Sequence, residues 1–150
     1  MLKHPRLSLV ALLIAALPLM VASCSKQSAQ TSSTQSTPPA AVSVTSVDLG
    51  KAVGADNKVT DKTDTFKPGD VIYATVVTNG AASNTVLKAT WTFQDGQVVN
   101  QSEQTIAPNG ETATEFHIEK ADGFPPGKYK IDVSLDGNPV QSKEFEVKAS

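Results

Sequence analysis

The octapeptide KYKIDVSL, residues 128–135, alternates apolar and polar positions without a break. Tyr129, Ile131, Val133 and Leu135 take one side of an extended chain, and Lys128, Lys130, Asp132 and Ser134 take the other. A period of two belongs to a strand with one face buried and one in water, and a helix cannot satisfy it. The same period recurs from Val42 to the end of the chain, cut by turn residues at intervals of about ten.

Six further stretches read as strands: VSVTSVDL (42–49), VIYATVVTN (71–79), TVLKATWTFQ (85–94), QVVNQSEQTI (97–106), ETATEFHIEK (111–120) and PVQSKEFEVK (139–148). Leu87, Ala89, Trp91 and Phe93 share one face, with Lys88, Thr90, Thr92 and Gln94 opposite. Phe116 and Ile118 face inward, leaving Glu115, His117 and Glu119 outward. Asp95-Gly96, Pro108-Asn109-Gly110 and Asp136-Gly137 are turn signals. DGFPPG (122–127) is a rigid corner. The strand 97–106 is polar and belongs at an edge. Val140 has the wrong parity for the face that carries Phe145 and Val147, which predicts a bulge or a late strand start.

No window of eleven or more residues after position 41 has helical periodicity. Seven short strands buried on one face each require two antiparallel sheets packed face to face. All eight aromatic residues lie between Phe66 and Phe145, which locates the core. The fold class is therefore an all-β antiparallel sandwich. Trp91 on the third strand and Tyr129 at the start of the sixth resemble the core tryptophan and corner tyrosine of immunoglobulin-like domains. The ending PGKYKIDVSLDG…FEV is similar to the last hairpin of bacterial members of that group. The resemblance implies an immunoglobulin-like sandwich over residues 42–150, without the disulfide of antibody domains. It implies no particular activity, because the architecture carries many.

The chain begins differently. Lys3, His4 and Arg6 precede an apolar run from Leu7 to Leu17, broken only by Ser8 and ended by Pro18. That run is too short to span a bilayer, which takes about 20 apolar residues, and has the length of a signal-peptide core. Val21-Ala22-Ser23-Cys24 follows, and Cys24 is the single cysteine. The string resembles the lipobox of bacterial lipoproteins. That resemblance implies diacylglycerol on the Cys24 thiol, cleavage before Cys24, and acylation of the new amino terminus. Residues 1–23 are then a signal peptide. Lipidation also removes a free thiol that an oxidising compartment would convert to mixed disulfides. Several acyl chains hold a protein on a membrane where one binds only marginally. Ser25 is not the aspartate that retains such proteins at the inner membrane, so the sorting pattern implies the outer membrane of a diderm cell. Residues 24–41 continue as SKQSAQTSSTQSTPPAA after the cysteine, a composition that cannot bury a core and reads as a disordered tether.

Charge narrows the functional classes. Of 13 cationic side chains, Lys3 and Arg6 leave with the signal peptide, so 11 lysines face 15 acids and the net charge is −4. No arginine remains. Nucleic-acid binding needs a basic face, and none is available. Nucleophilic catalysis through histidine has only His117, which sits between Glu115 and Glu119 on an outward face. The carboxylate pairs Glu115/Glu119 and Glu144/Glu146 lie on solvated strand faces. Asp56, Asn57, Asp61, Asp64 and Asp70 share a loop-rich stretch that calcium is able to use, yet Lys58, Lys62 and Lys67 are interleaved and the spacing of a calcium loop is not met. No catalytic residue, cofactor or metal ligand is assigned.

Two places offer a partner contact. Phe124 beside Pro125 and Pro126 is an anchor if exposed, and closes the end of the sandwich if buried. The edge strand 97–106 is able to accept a partner strand, although its polarity also reads as protection against pairing. The sequence thus predicts a membrane-anchored, non-enzymatic immunoglobulin-like module that binds an envelope protein or serves envelope assembly. An inhibitor or chaperone-like accessory acting through loop 122–127 is the alternative, and a hydrolase or metal protein comes third.

Overall fold

The computed structural model describes residues 41–94 and 96–149. Eight strands follow in order: β1 (Ser43–Gly50), β2 (Thr65–Phe66), β3 (Ile72–Asn79), β4 (Thr85–Phe93), β5 (Gln97–Ile106), β6 (Thr112–Ile118), β7 (Gly127–Leu135) and β8 (Asn138–Val147). Seven occupy the stretches that alternate in the sequence. The eighth, β2, is two residues long and pairs parallel with β8.

The strands form two sheets, a smaller one ordered β1-β3-β6 and a larger one ordered β2-β8-β7-β4-β5. Apart from β2, every pairing is antiparallel. The chain changes sheet after β1, β2, β3, β5 and β6, so β6 returns to pair with β3 while β7 pairs with β4. This is an immunoglobulin-like sandwich in which the strand after β4 stays beside β4.

The core lies between the sheets. Val47, Leu49, Ile72, Ala74, Val76, Phe116 and Ile118 come from the smaller sheet. Leu87, Ala89, Trp91, Tyr129, Ile131, Val133, Phe145 and Val147 come from the larger one, and Phe66 joins from β2. Phe145 is the hub of its aromatic part. It stacks on Tyr129 at 5.3 Å and meets Trp91 and Phe66 edge-on at 5.8 and 5.5 Å. Such edge-to-face pairs add to the area term of burial. Tyr129 donates its hydroxyl to the Pro125 carbonyl at 2.7 Å, four residues upstream, which is the geometry of the corner tyrosine.

Bulges reconcile the alternation with the buried faces. One at Thr45 lets both Val44 and Val47 face inward. A second falls at Val140, where Val133 pairs with Gln141 and Ser134 with Pro139. It absorbs the parity error seen in the sequence and leaves Val140 45% exposed. A third, on β5, lies at Val99, between the pairs Trp91–Asn100 and Thr92–Val98.

The polar stretch after β1 is not an idle loop. Residues 51–63 fold over the outer face of the smaller sheet, held by bridges Gly50–Lys62 and Val53–Val59. Thr75, 1% exposed, accepts the Val59 N–H at 3.0 Å and donates to the Asn57 carbonyl at 2.7 Å. Gly50 permits the fold-back, since a Cβ there would overlap the Asp61 carbonyl and the Val59 side chain. This cover is why β3 is buried on both faces.

Candidate functional site

Cys24, the proposed lipid attachment point, lies outside the described residues, as do the signal peptide and the tether up to residue 40.

Phe124 lies at the end of the sandwich and is 2% exposed. Its ring meets Tyr129 edge-on at 6.1 Å, and its N–H donates to the Pro68 carbonyl at 2.7 Å. Of its two sequence readings, the ring occupies the position of a core lid. It presents no apolar anchor to solvent, because burial against Tyr129 consumes its apolar surface. Gly123, at φ 77° and with Pro68 against it, makes the tight approach that seats the ring.

The strand 97–106 forms β5, at the outer edge of the larger sheet. In an antiparallel pair, alternate residues turn their N–H and C=O groups away from the partner strand. On β5 these groups face outward, and residues 97–106 make no other backbone hydrogen bond to the described residues. Nearly every β5 side chain is also exposed. Its one charge, Glu103, is matched by Lys88 on β4 at 3.1 Å. Gln104 reaches across to the other sheet and donates to the Glu115 carbonyl on β6 at 2.6 Å. On the opposite side of the sandwich, Lys143 of β8 donates to the Val47 carbonyl of β1 at 3.2 Å. These two side chains lace the open flanks together.

At the start of β5 the two places singled out in the sequence turn out to be neighbours. A groove of about 250 Å³ runs between the first residues of β5 and the 122–127 corner. Phe93, Val98, Val99, Phe124, Pro125 and Tyr129 give it an apolar lining, with the Phe124 ring at its buried floor, and Lys120 stands at its side. Val98 and Val99 are 56% and 37% exposed. A regular strand would send successive side chains to opposite faces. The bulge at Val99 allows both valines to line one groove. Sequence reasoning marked the strand and the corner separately; nothing local to either segment says that they meet.

The remaining candidates are dispersed. The His117 Nδ1 lies 2.8 Å from a Glu115 carboxylate oxygen and its ring leans on Tyr73 at 5.5 Å, on the outer face of the smaller sheet. Glu146 pairs loosely with Lys148, on the outer face of the larger sheet. The acids of the 56–70 stretch point to separate tasks. Asp56 caps the Lys58 N–H at 3.2 Å, and Asp70 holds Lys51 and the Lys67 N–H, each at 2.8 Å. The Lys51 ammonium and the Lys67 N–H keep the Asp70 carboxyl below the usual carboxylate range. Among the described residues no three His, Cys, Asp or Glu side chains converge to hold a metal ion. Burial raises the pKa of the Tyr129 phenol, whose hydroxyl is bonded to the Pro125 carbonyl.

No protein-family model matches the chain, and no curated protein sequence does. Solved structures do. An immunoglobulin-like protein of Pseudomonas aeruginosa superposes with a TM-score of 0.50 at 15% identity, covering 73% of this chain and 98% of that one. A β-glucosidase of Erythrobacter marinus gives a TM-score of 0.50 at 10% identity, covering 72% of this chain. The alkylpurine DNA glycosylase AlkC of Pseudomonas fluorescens gives 0.49 at 16% identity. This chain spans 15% of the glucosidase and 30% of the glycosylase. At these identities the likeness is one of architecture, that of an immunoglobulin-like β-sandwich.

Proposed function

We propose that this chain is a lipid-anchored bacterial envelope protein whose immunoglobulin-like domain acts by binding another envelope protein, not by catalysis. The β5 edge carries the reading. It is a ten-residue strand with its outward hydrogen-bonding groups unclaimed by the described residues and with two valines in water. Proteins ordinarily blunt such an edge with charge, proline, a bulge or a cover, since it templates pairing with other chains, and β5 carries one charge, Glu103, and one bulge, at Val99. Here residues 97–106 contain no lysine and no proline. Anchorage through Cys24 to the outer membrane, with the 24–41 tether between lipid and domain, is supported by the lipobox-like VASC and its flanking pattern.

Two experiments test the halves of the proposal. Intact mass of the membrane fraction is expected to show a chain beginning at Cys24 and heavier by its acyl groups. A Cys24→Ala chain that is still processed and still membrane-bound refutes the anchor. Co-purification from detergent-solubilised membranes is expected to recover a protein partner with the full-length chain and with Val140→Lys, and to lose it with Val99→Lys. Equal recovery by both variants refutes β5 as the binding surface.

A further inference from the structure

We propose that the β5 edge and its groove take an extended strand of another protein that carries an aliphatic side chain beside a carboxylate. This deepens the binding reading above and rests on it. Three features point to that ligand.

The first is the row of outward backbone groups on β5, which an added strand satisfies by main-chain hydrogen bonds whatever its sequence. The second is the groove at the beginning of that row. Pockets beside an augmented edge read alternate side chains of the incoming strand, and this one is lined by Phe93, Val98, Val99, Pro125 and Tyr129. Its volume of about 250 Å³ suits an aliphatic side chain with part of its backbone. The bulge at Val99 aims the second valine into this space, a device that bulges near binding sites commonly provide.

The third is charge. Lys120 is the one charged residue lining the groove among the described residues. Its only carboxylate neighbour there, Asp122, stands 3.9 Å away with its side chain 94% exposed, at the limit of an ion pair. Lys88, on β4 behind the edge, is already matched by Glu103. An incoming carboxylate next to the aliphatic residue would complete Lys120 and lose less to water than Asp122 does, because the apolar wall shields one side. Pairing with β5 of a second copy of this chain fits less well, since β5 offers the groove no such pair: Val98 and Val99 have amides and no acid beside them.

The test uses the full-length chain in detergent micelles and three synthetic decapeptides of alternating valine and threonine. One carries a single glutamate beside its central valine, one a lysine at that place, and one the glutamate with alternate N-methyl amides. Residue-resolved amide shifts and hydrogen exchange are recorded. The glutamate peptide is expected to bind, to protect amides of residues 97–106, and to shift residues 120–127. Lys120→Glu is expected to weaken it by about tenfold and to turn preference toward the lysine peptide; Val99→Lys is expected to cost about tenfold, the loss typical of a removed interface anchor. Val98→Thr, which keeps shape and strand propensity, gives a smaller loss and guards against misfolding as the cause. Equal binding of the glutamate and lysine peptides overturns the proposal, as does full binding of the N-methylated peptide, perturbation centred elsewhere, or a Val99-dependent dimer of the chain. If these peptides fail while Val99→Lys still loses the membrane partner, the ligand chemistry falls and the binding surface stands; if both fail, both fall.

Discussion

Thr75→Val is a nearly isosteric change that isolates one hydrogen-bonding group in the interior of the smaller sheet. Valine keeps the volume and the β-branched shape that a strand favours. What it removes is the hydroxyl that accepts the Val59 N–H at 3.0 Å and donates to the Asn57 carbonyl at 2.7 Å. Asn57 is exposed, so water takes over its carbonyl at little cost. The Val59 N–H has no such recourse, because Val59 is buried against the sheet and the bond itself is buried. An orphaned buried donor costs about 1–3 kcal/mol. The expected loss of stability is therefore about 2 kcal/mol. For a domain just over 100 residues that corresponds to a fall in melting temperature of roughly 8 °C, taking about 4 °C per kcal/mol. Thermal and urea unfolding of the full-length chain measure it, with hydrogen exchange of the Val59 amide as the local readout. Thr75→Ser, which keeps the hydroxyl, is expected to retain Val59 protection. A Thr75→Val chain as stable as the parent, with the Val59 amide still protected, refutes the claim that this hydroxyl pins residues 51–63 over the sheet.

Gly50→Ala forces a Cβ into the Asp61 carbonyl and Val59, and is expected to cost at least about 2 kcal/mol by urea unfolding, in the upper range for overpacking. Tyr129→Phe leaves the ring stack on Phe145 and removes only the bond to the Pro125 carbonyl, so about 1 kcal/mol is expected, with added exchange at residues 124–127. Asp70 titrates lower in the folded chain than in the unfolded one, so its stabilising effect is complete above the unfolded value near 3.8 and is lost as pH falls through the lower folded value. Stability measured from pH 6 to pH 2 is expected to show a smaller acid loss in Asp70→Asn than in the parent; equal losses contradict the ion pair with Lys51.

The strands were legible because a half-buried strand has to alternate, and seven segments of this chain do. Even the irregularity at Val140 was announced, as a bulge or a late start, since Phe145 and Val147 fix the parity and Val140 violates it; it is the bulge, with β8 already begun at Asn138. β2 was not legible. Two residues give no period, and Thr65–Phe66 is defined by a parallel pairing to β8, some eighty positions away in the chain. The cover formed by residues 51–63 was hidden for a similar reason: its composition is that of a solvated loop, and the contact that holds it is one hydroxyl on β3. The groove depends on a register shift at Val99 and on a corner more than twenty residues downstream, so each half was visible in the sequence and their meeting was not. Phe124 shows the limit from the other side. An aromatic residue between glycine and proline has the same sequence signature whether its ring seals a core or greets a partner, and only the packing against Tyr129 separates the two.

The central claim is that β5 is a binding edge. The most direct measurement places a photo-crosslinking residue at Val99 in the full-length chain in living cells, with Val140, a comparably exposed valine on β8, as the control site. The account predicts a discrete crosslinked product to one envelope protein from position 99 and none from position 140. Identical products from both positions, or none from position 99, would contradict it.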